Sequence, residues 1–317
     1  MVKLQQLPHL HPGDHIAVVS PAGKVNKTQL SQGIRAIEEQ GYRVECGEYV
    51  YTNHRGLAGT DEARLQDLLW AFRSPEIRAV FCSRGGYGSS RLLSALVSRG
   101  LGNISKLVVG FSDITALQWA LWAIWQLPSL SGPLASELGG GVTPESEEYF
   151  WKVVQGKSSP QLGFGTPSVE VLHHGKAQGI LMSGCLSIIC HLIGTPFLPD
   201  LKNAILVIED IGEAPYRIDR MLVQLKNAGI FDRIGALMVG ELLVANAQTE
   251  IMSRGELRQR LTEILKDFQG PVVMGIPYGH GKNRWTLPVG IPVKLSTDPF
   301  AIVTSGRHKA RSFAGKV

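Results

Sequence analysis

The chain has 317 residues, of which 44% are hydrophobic and 19% are charged. This composition is typical of a globular protein and excludes extensive disorder, and at roughly 150 residues per domain the length predicts two domains. The 32 basic and 27 acidic side chains leave a net charge of only +5, and no basic tract gathers that excess. We therefore expect no nucleic-acid partner.

Targeting and redox signals are sparse. The first residues contain no apolar stretch of the ~7–15 residues typical of a secretion signal. The longest apolar regions, 116–125 and 179–193, fall short of the ~20 residues that a membrane-spanning helix needs. The 4 cysteines have no C-x-x-C spacing and are too few for a disulfide framework. We expect a cytoplasmic protein that has reduced thiols and does not associate with membranes.

Strand and helix signals alternate through the first half of the chain. Short apolar runs predict strands at residues 16–19, 42–46, 78–82 and 106–109. Apolar residues at helical spacing follow each of them, and this alternation predicts a parallel sheet covered by helices on both faces.

Segments rich in glycine and proline interrupt this pattern between residues 139 and 175, and strand and helix signals resume near residue 204. We therefore expect an N-terminal α/β domain at 1–155, a linker at 156–175 and a C-terminal β/α domain at 176–317.

The turn after the fourth predicted strand carries the sharpest local signal. There Gly110-Phe111-Ser112-Asp113-Ile114 joins a strand to an apolar helix. A serine on such a turn lies at the sheet edge, where amides of the helix N-terminus can stabilise an oxyanion. The segment matches only half of the nucleophile pattern G-x-S-x-G, because Ile114 stands in the last position. Capping of the helix by Ser112 or Asp113 is the alternative interpretation.

Other segments could contribute to the same site. The loop at residues 84–90 lacks the dinucleotide and P-loop patterns, so a turn that offers a backbone N–H is at least as good an interpretation as a phosphate cradle. Glu209 ends an apolar strand, where α/β sites form, although a surface carboxylate is the simpler alternative. His280 lies on a glycine-flanked loop and could equally be a solvated side chain. No histidine pair has the spacing of a metal site, so we expect neither metal nor cofactor.

Taken together, these segments resemble the LD-carboxypeptidases, the muramoyl-tetrapeptide carboxypeptidases of bacterial peptidoglycan recycling. The matching segments are spread over most of the chain in family order: Val19–Gly23, Gly59–Leu68, Arg84–Leu93, Gly110–Leu117, Ser131–Pro133, Ile193–Pro196, Glu209–Arg217 and Gly279–Gly281. One departure is Cys185, where members of the family often carry asparagine. The resemblance therefore does not assign the local packing or a substrate contact at this position.

The resemblance implies a fold and a mechanism. It implies a flavodoxin-like parallel α/β domain followed by a swivelling β/α domain. Ser112 would be the nucleophile, His280 the general base and Glu209 the carboxylate that orients the imidazole. The backbone N–H groups of Gly86 and Asp113 would form the oxyanion hole. The implied reaction releases the terminal D-alanine from L,D-linked muropeptide tetrapeptides, and the implied assembly is a homodimer without a cofactor.

Two other functions stay open at this point. A microcin-C-type self-immunity peptidase would share the three catalytic side chains and differ in its substrate loops. A non-catalytic, Rossmann-like ligand-binding module would have no use for all three. Among the adjacent carboxylates we expect Glu209 to orient the base, because it ends a buried strand. Asp210 should face the opposite way, and Glu213 should favour the start of the next helix.

Overall fold

The computed structural model describes residues 6–102, 105–158, 161–165, 168–243 and 252–305. Its strands are β1 (His15–Val19), β2 (Arg43–Cys46), β3 (Ile77–Cys82), β4 (Leu107–Gly110), β5 (Ser129–Ser131), β6 (Glu170–His173), β7 (Lys176–Cys185), β8 (Ile205–Ile211), β9 (Ala236–Leu243), β10 (Val272–Met274), β11 (Leu287–Val289), β12 (Ile291–Thr297) and β13 (Phe300–Thr304). Its α-helices are α1 (Lys27–Glu39), α2 (Asp61–Arg73), α3 (Leu93–Arg99), α4 (Thr115–Trp125), α5 (Pro144–Val154), α6 (Leu186–Leu192), α7 (Pro215–Asn227) and α8 (Arg254–Ile264). Short 3₁₀ helices cover Ser89–Leu92, Ser112–Ile114 and Ala135–Glu137.

The first sheet has the strand order β2-β1-β3-β4-β5-β11. The first five of these strands are parallel, and β11 is antiparallel to β5. The order 2-1-3-4-5 is that of the flavodoxin-like fold. Successive residues of β1 alternate between two separate core clusters, because Ile16 and Val18 face one and Ala17 and Val19 the other. Both faces of the sheet are therefore buried, as the sequence pattern predicted.

The second sheet has the order β13-β12-β7-β8-β9-β10-β6. Strands β7 to β10 are parallel. Strands β12 and β13 on one side and β6 on the other pair antiparallel with their neighbours, and β13 and β6 form the two edges. One core cluster contains residues of both sheets and of the apolar helix α4 between them. The indole N–H of Trp119 in α4 donates to the carbonyl of Ser183 in β7 at 2.9 Å. The predicted α/β fold class, a flavodoxin-like layer followed by a β/α layer, is confirmed.

Two strands lie where the predicted domain division did not place them. Strand β6 falls inside the predicted linker, and β11 comes from the predicted C-terminal domain but completes the first sheet. Linker positions 159–160 and 166–167 lie outside the described residues. The boundaries 1–155, 156–175 and 176–317 therefore stay a prediction about folding units. Among the residues that the structure describes, no helix has both the length and the apolar character that crossing a bilayer demands.

Candidate active site

Ser112 lies on the turn between β4 and α4 with a left-handed backbone, at φ +60°. Such a conformation is uncommon outside glycine and costs on the order of 1 kcal/mol. The turn is also tightly packed, since a Cβ on Gly110 would lie 2.3 Å from Ile114 Cγ2 and one on Gly85 would lie 2.9 Å from Ser112 Cβ. A strained serine on a strand-to-helix turn is typical of a nucleophile elbow.

The structure brings three predicted side chains into one hydrogen-bonded chain. His280 Nε2 lies 3.0 Å from Ser112 Oγ, and His280 Nδ1 lies 2.7 Å from Glu209 Oε2. The three come from the turn after β4, the strand β8 and the loop between β10 and β11. Since an ionised carboxylate only accepts hydrogen bonds, Nδ1 carries the proton and Nε2 is left to accept from the serine hydroxyl. A base in this tautomer can take the proton of Ser112.

The Glu209 carboxylate is completely buried, whereas 17% of the His280 side chain is exposed. Burial raises the pKa of Glu209 above its usual value, and the hydrogen bond from His280 opposes that shift. Its second oxygen, Oε1, has no hydrogen-bond partner among the described residues. The buried guanidinium of Arg284 also favours the ionised form of Glu209 and lies 4.5 Å from the centre of the Phe111 ring. The imidazole of His280 contacts that ring too, at 4.8 Å between centroids.

The two neighbouring carboxylates are engaged elsewhere. Asp210 is buried and accepts from the amide of Ser187, at the start of α6, at 2.7 Å. Glu213 lies 3.4 Å from the guanidinium of Arg217 in the first turn of α7. Of the three carboxylates, Glu209 is the one in contact with the imidazole.

The capping interpretation of the Ser112 turn is wrong. The N-cap positions are occupied by Phe111 for the 3₁₀ helix and by Ile114 for α4, and neither makes a side-chain cap bond. Instead, the Asp113 carboxylate accepts from the amide of Ser89 at 2.8 Å, and the Asp113 carbonyl accepts from the hydroxyl of Ser89 at 2.6 Å. The side chain of Asp113 thus ties the serine turn to the glycine-rich turn that precedes Ser89.

Glu241, two residues before the end of β9, is a site residue that the sequence analysis missed. Its carboxylate accepts from the amide of Gly281 at 2.7 Å, and its own amide donates to the carbonyl of Tyr278 at 2.8 Å. A Cβ on either Gly279 or Gly281 would lie 2.6 Å from the Glu241 side chain. This close packing explains the two glycines beside His280. The available signal was a carboxylate at the carboxyl end of the strand next to that of Glu209.

Cys185 lies opposite Glu209 in the register between β7 and β8. Its amide donates to Thr115 Oγ1 at 3.1 Å, and its sulfur lies 3.4 Å from Ser187 Oγ. Burial, reinforced by the charge of Glu209, raises the pKa of this thiol well above its usual value, so the thiol stays protonated. Across the described residues, no group of three or more His, Cys, Asp or Glu side chains is placed to hold a metal ion.

Comparison with known proteins gives the family. Residues 16–132 match the model of the LD-carboxypeptidase N-terminal domain, and residues 178–295 match that of its C-terminal domain. The chain is 32% identical over 286 residues to a murein tetrapeptide carboxypeptidase of Pseudomonas aeruginosa, a match that covers 87% of this chain and 91% of the relative. The crystal structure of a muramoyltetrapeptide carboxypeptidase from Oxalobacter formigenes superimposes with a TM-score of 0.76 at 31% identity, over 91% of this chain and 97% of that one.

A second group of relatives bears another name. The microcin C7 self-immunity protein of Escherichia coli is 25% identical over 317 residues, which covers 90% of this chain and 91% of that protein. A solved structure of a microcin C7 self-immunity protein covers 96% of this chain and 99% of its own, with a TM-score of 0.82 at 23% identity. At that identity the likeness concerns the fold alone. The chain belongs to the LD-carboxypeptidase family and is a carboxypeptidase of the serine type.

Proposed function

We propose that the chain hydrolyses the L,D-peptide bond that links the terminal D-alanine to the diamino acid of muropeptide tetrapeptides. The observation that carries this proposal is the hydrogen-bonded chain Ser112–His280–Glu209, with contacts of 3.0 and 2.7 Å, on a strained strand-to-helix turn. That arrangement suits acyl transfer to a serine. The names of the relatives at 31% and 32% identity supply the substrate class.

In the proposed mechanism His280 acts first as a base. Nε2 accepts the hydroxyl proton of Ser112 while Oγ attacks the carbonyl carbon of the scissile bond. Glu209 holds the proton on Nδ1 and stabilises the imidazolium that forms. When the tetrahedral intermediate collapses, the imidazolium protonates the leaving amine and D-alanine departs. Water then attacks the acyl-enzyme through the same base, which releases the shortened peptide and restores the serine.

The negative charge on the tetrahedral oxygen needs donors that are fixed beforehand. We assign this role to the backbone N–H groups of Gly86 and Asp113. Two contacts support this assignment. An ideal Cβ on Gly85 would lie 3.2 Å from Ser112 Oγ, and the Asp113 carboxylate accepts from the amide of Ser89, which follows the glycine-rich turn. The glycine-rich turn therefore lies against the turn that carries the nucleophile.

The test is incubation with purified disaccharide tetrapeptide, followed by mass spectrometry. The proposal predicts the loss of one alanine from the tetrapeptide and no change in a matched peptide that ends in L-alanine. A glutamyl sulfamoyl nucleoside serves as the competing substrate, because a microcin C7 self-immunity protein has been solved with glutamyl sulfamoyl guanosine. Hydrolysis of that compound alone would assign the chain to the self-immunity branch. Hydrolysis of neither, with binding intact, would favour a ligand-binding module.

The proposal includes a homodimer, as the family resemblance implies, and a cytoplasmic location, as the targeting and redox signals of the sequence predict. A mass of two chains, near twice 34.5 kDa, in light scattering after gel filtration is the expected result. A single-chain mass at enzyme concentrations that support turnover would contradict the dimer and leave the reaction unaffected.

A further inference from the structure

A buried arginine lies beneath the glycine-rich turn beside Ser112. Arg64, in the first turn of α2, is 1% exposed. One terminal nitrogen donates to the carbonyl of Pro21 and, at 2.9 Å, to the carbonyl of Gly88. The other terminal nitrogen donates to the carboxylate of Asp61. A single guanidinium thus joins three segments that are far apart in the sequence.

Helix α2 is well placed to present this side chain. Thr60 caps it by accepting from the amide of Ala63, and Asp61 and Glu62 complement the dipole of its first turn. Asp61 also pairs bidentately with the exposed guanidinium of Arg91, at 2.7 to 3.1 Å. The carboxylate is therefore held from both sides, and it fixes the orientation of the Arg64 fork.

Two anchors bracket the proposed oxyanion donor, and Arg64 supplies one of them. On one side of Gly86, the carbonyl of Gly85 accepts from the amide of Gly23 at 3.0 Å. On the other side, the carbonyl of Gly88 accepts from Arg64. Gly86 and Gly88 both have left-handed backbones, at φ +97° and +121°, so the turn has no regular secondary structure to hold it. Its shape therefore depends on tertiary anchors, among them these two and the hydrogen bonds between Ser89 and Asp113.

We propose that Arg64 is a positioning residue of the oxyanion hole: it fixes the turn that presents the Gly86 amide to the developing oxyanion. The inference rests on the proposed function, since it takes Gly86 as a donor. Arginine is suited to this task because its planar fork bonds several acceptors in fixed directions, whereas a lysine ammonium acts as a point charge. A displaced donor stabilises the negative charge of the transition state less than a correctly placed donor does.

The experiment compares variants by steady-state kinetics on the tetrapeptide and by the rate of phosphonylation with a fluorophosphonate. Outright loss of an oxyanion donor lowers kcat by ~10²–10³-fold. For Arg64→Met we expect kcat to fall by roughly tenfold to a hundredfold with KM changed less than about threefold, and for Arg64→Lys a smaller fall in the same direction. Phosphonylation should slow in parallel.

Arg99→Gln is the matched control. Arg99 pairs with Glu62 on the same first turn of α2, with both contacts at 2.7 Å, but the pair is exposed. Its loss should leave kcat within about twofold, because exposed ion pairs contribute little. Folded protein is quantified by thermal melting, so that kcat is referred to folded enzyme alone.

Normal kcat and phosphonylation in folded Arg64→Met would overturn the inference. Should both Arg64 variants fail to fold, Asp61→Asn decides, because its side chain is 42% exposed and the change only loosens the fork. A fall in kcat of several-fold is then expected, and an unchanged kcat would overturn the proposal. Full activity of Ser112→Ala would instead refute the proposed function, so the two failures are distinguishable.

Discussion

Replacing Glu209 by glutamine tests which carboxylate orients the base. The substitution keeps the shape of the side chain but removes its charge next to His280 Nδ1, at a contact of 2.7 Å. If the new amide N–H faces Nδ1, that nitrogen must accept, the ring proton moves to Nε2, and the ring can no longer accept from Ser112. The corresponding amide replacement costs up to ~10⁴-fold in turnover. If the amide oxygen faces Nδ1, the tautomer survives and only the stabilisation of the imidazolium is lost.

We therefore expect Glu209→Gln to lower kcat by at least about a hundredfold, which corresponds to ~2.7 kcal/mol of transition-state stabilisation. The assay is release of D-alanine from the tetrapeptide under saturating substrate. Glu213→Gln is the matched control, because Glu213 contacts Arg217 rather than the imidazole, and it should lose less than about tenfold. The opposite order of the two variants would refute the assignment of Glu209.

Thermal stability gives an independent readout of the same substitution. Burial raises the pKa of Glu209 in the folded protein, so the folded state holds this proton more tightly than the unfolded state does. The stabilisation of the folded state by this protonated carboxyl is fully present below the unfolded pKa of Glu209. It is lost as the pH rises through the folded pKa. The melting temperature of Glu209→Gln should therefore be no lower than that of the parent at neutral pH. The melting temperature of the variant relative to the parent should fall as the pH falls. A variant that is less stable at pH 7 would contradict this account of the carboxylate.

The remaining predictions concern the packing around the site. Gly85→Ala should lower kcat by at least tenfold without unfolding the protein, because its Cβ would lie 2.9 Å from Ser112 Cβ and must displace the nucleophile. Gly255→Ala is the control: its Cβ would have one neighbouring atom, at 3.9 Å, and kcat should not change. Glu241→Gln should lower kcat by about tenfold, because the hydrogen bond that it accepts from Gly281 weakens when the acceptor loses its charge; normal kinetics would show that the histidine loop is held without it. Dialysis against EDTA should leave activity unchanged, because both ring nitrogens of the histidine are already engaged, and a loss restored by zinc would contradict the serine mechanism.

The sequence predicted the regular part of the fold and the chemistry at its strand ends. Strands such as β1 and β3 were found because buried parallel strands are continuous apolar runs. Ser112 and Glu209 were placed at carboxyl strand ends, where parallel sheets gather their sites. Their approach to His280 could not come from spacing, since the separations in sequence are bridged only by the packing of the two sheets around α4.

The parts that escaped prediction depend on distant partners. Strands β5 and β11 have only three residues each and are defined by their pairing, β5 with β4 and β11, and β11 with β5. Strand β6 lies in a segment rich in glycine and proline and is defined by β10, about a hundred residues further on. The roles of Arg64 and Glu241 were equally hidden, because a buried arginine and a strand-end glutamate acquire their meaning only from the carbonyl and amide groups that they meet.

The most direct test of the central claim is the rate at which the Ser112→Ala variant releases D-alanine from the tetrapeptide. In other serine hydrolases, loss of the nucleophile lowers kcat by about six decades. We predict a loss of that order here, in a protein that still melts cooperatively and still binds the tetrapeptide. A folded Ser112→Ala variant that retains even about a tenth of the parental rate would contradict the serine mechanism.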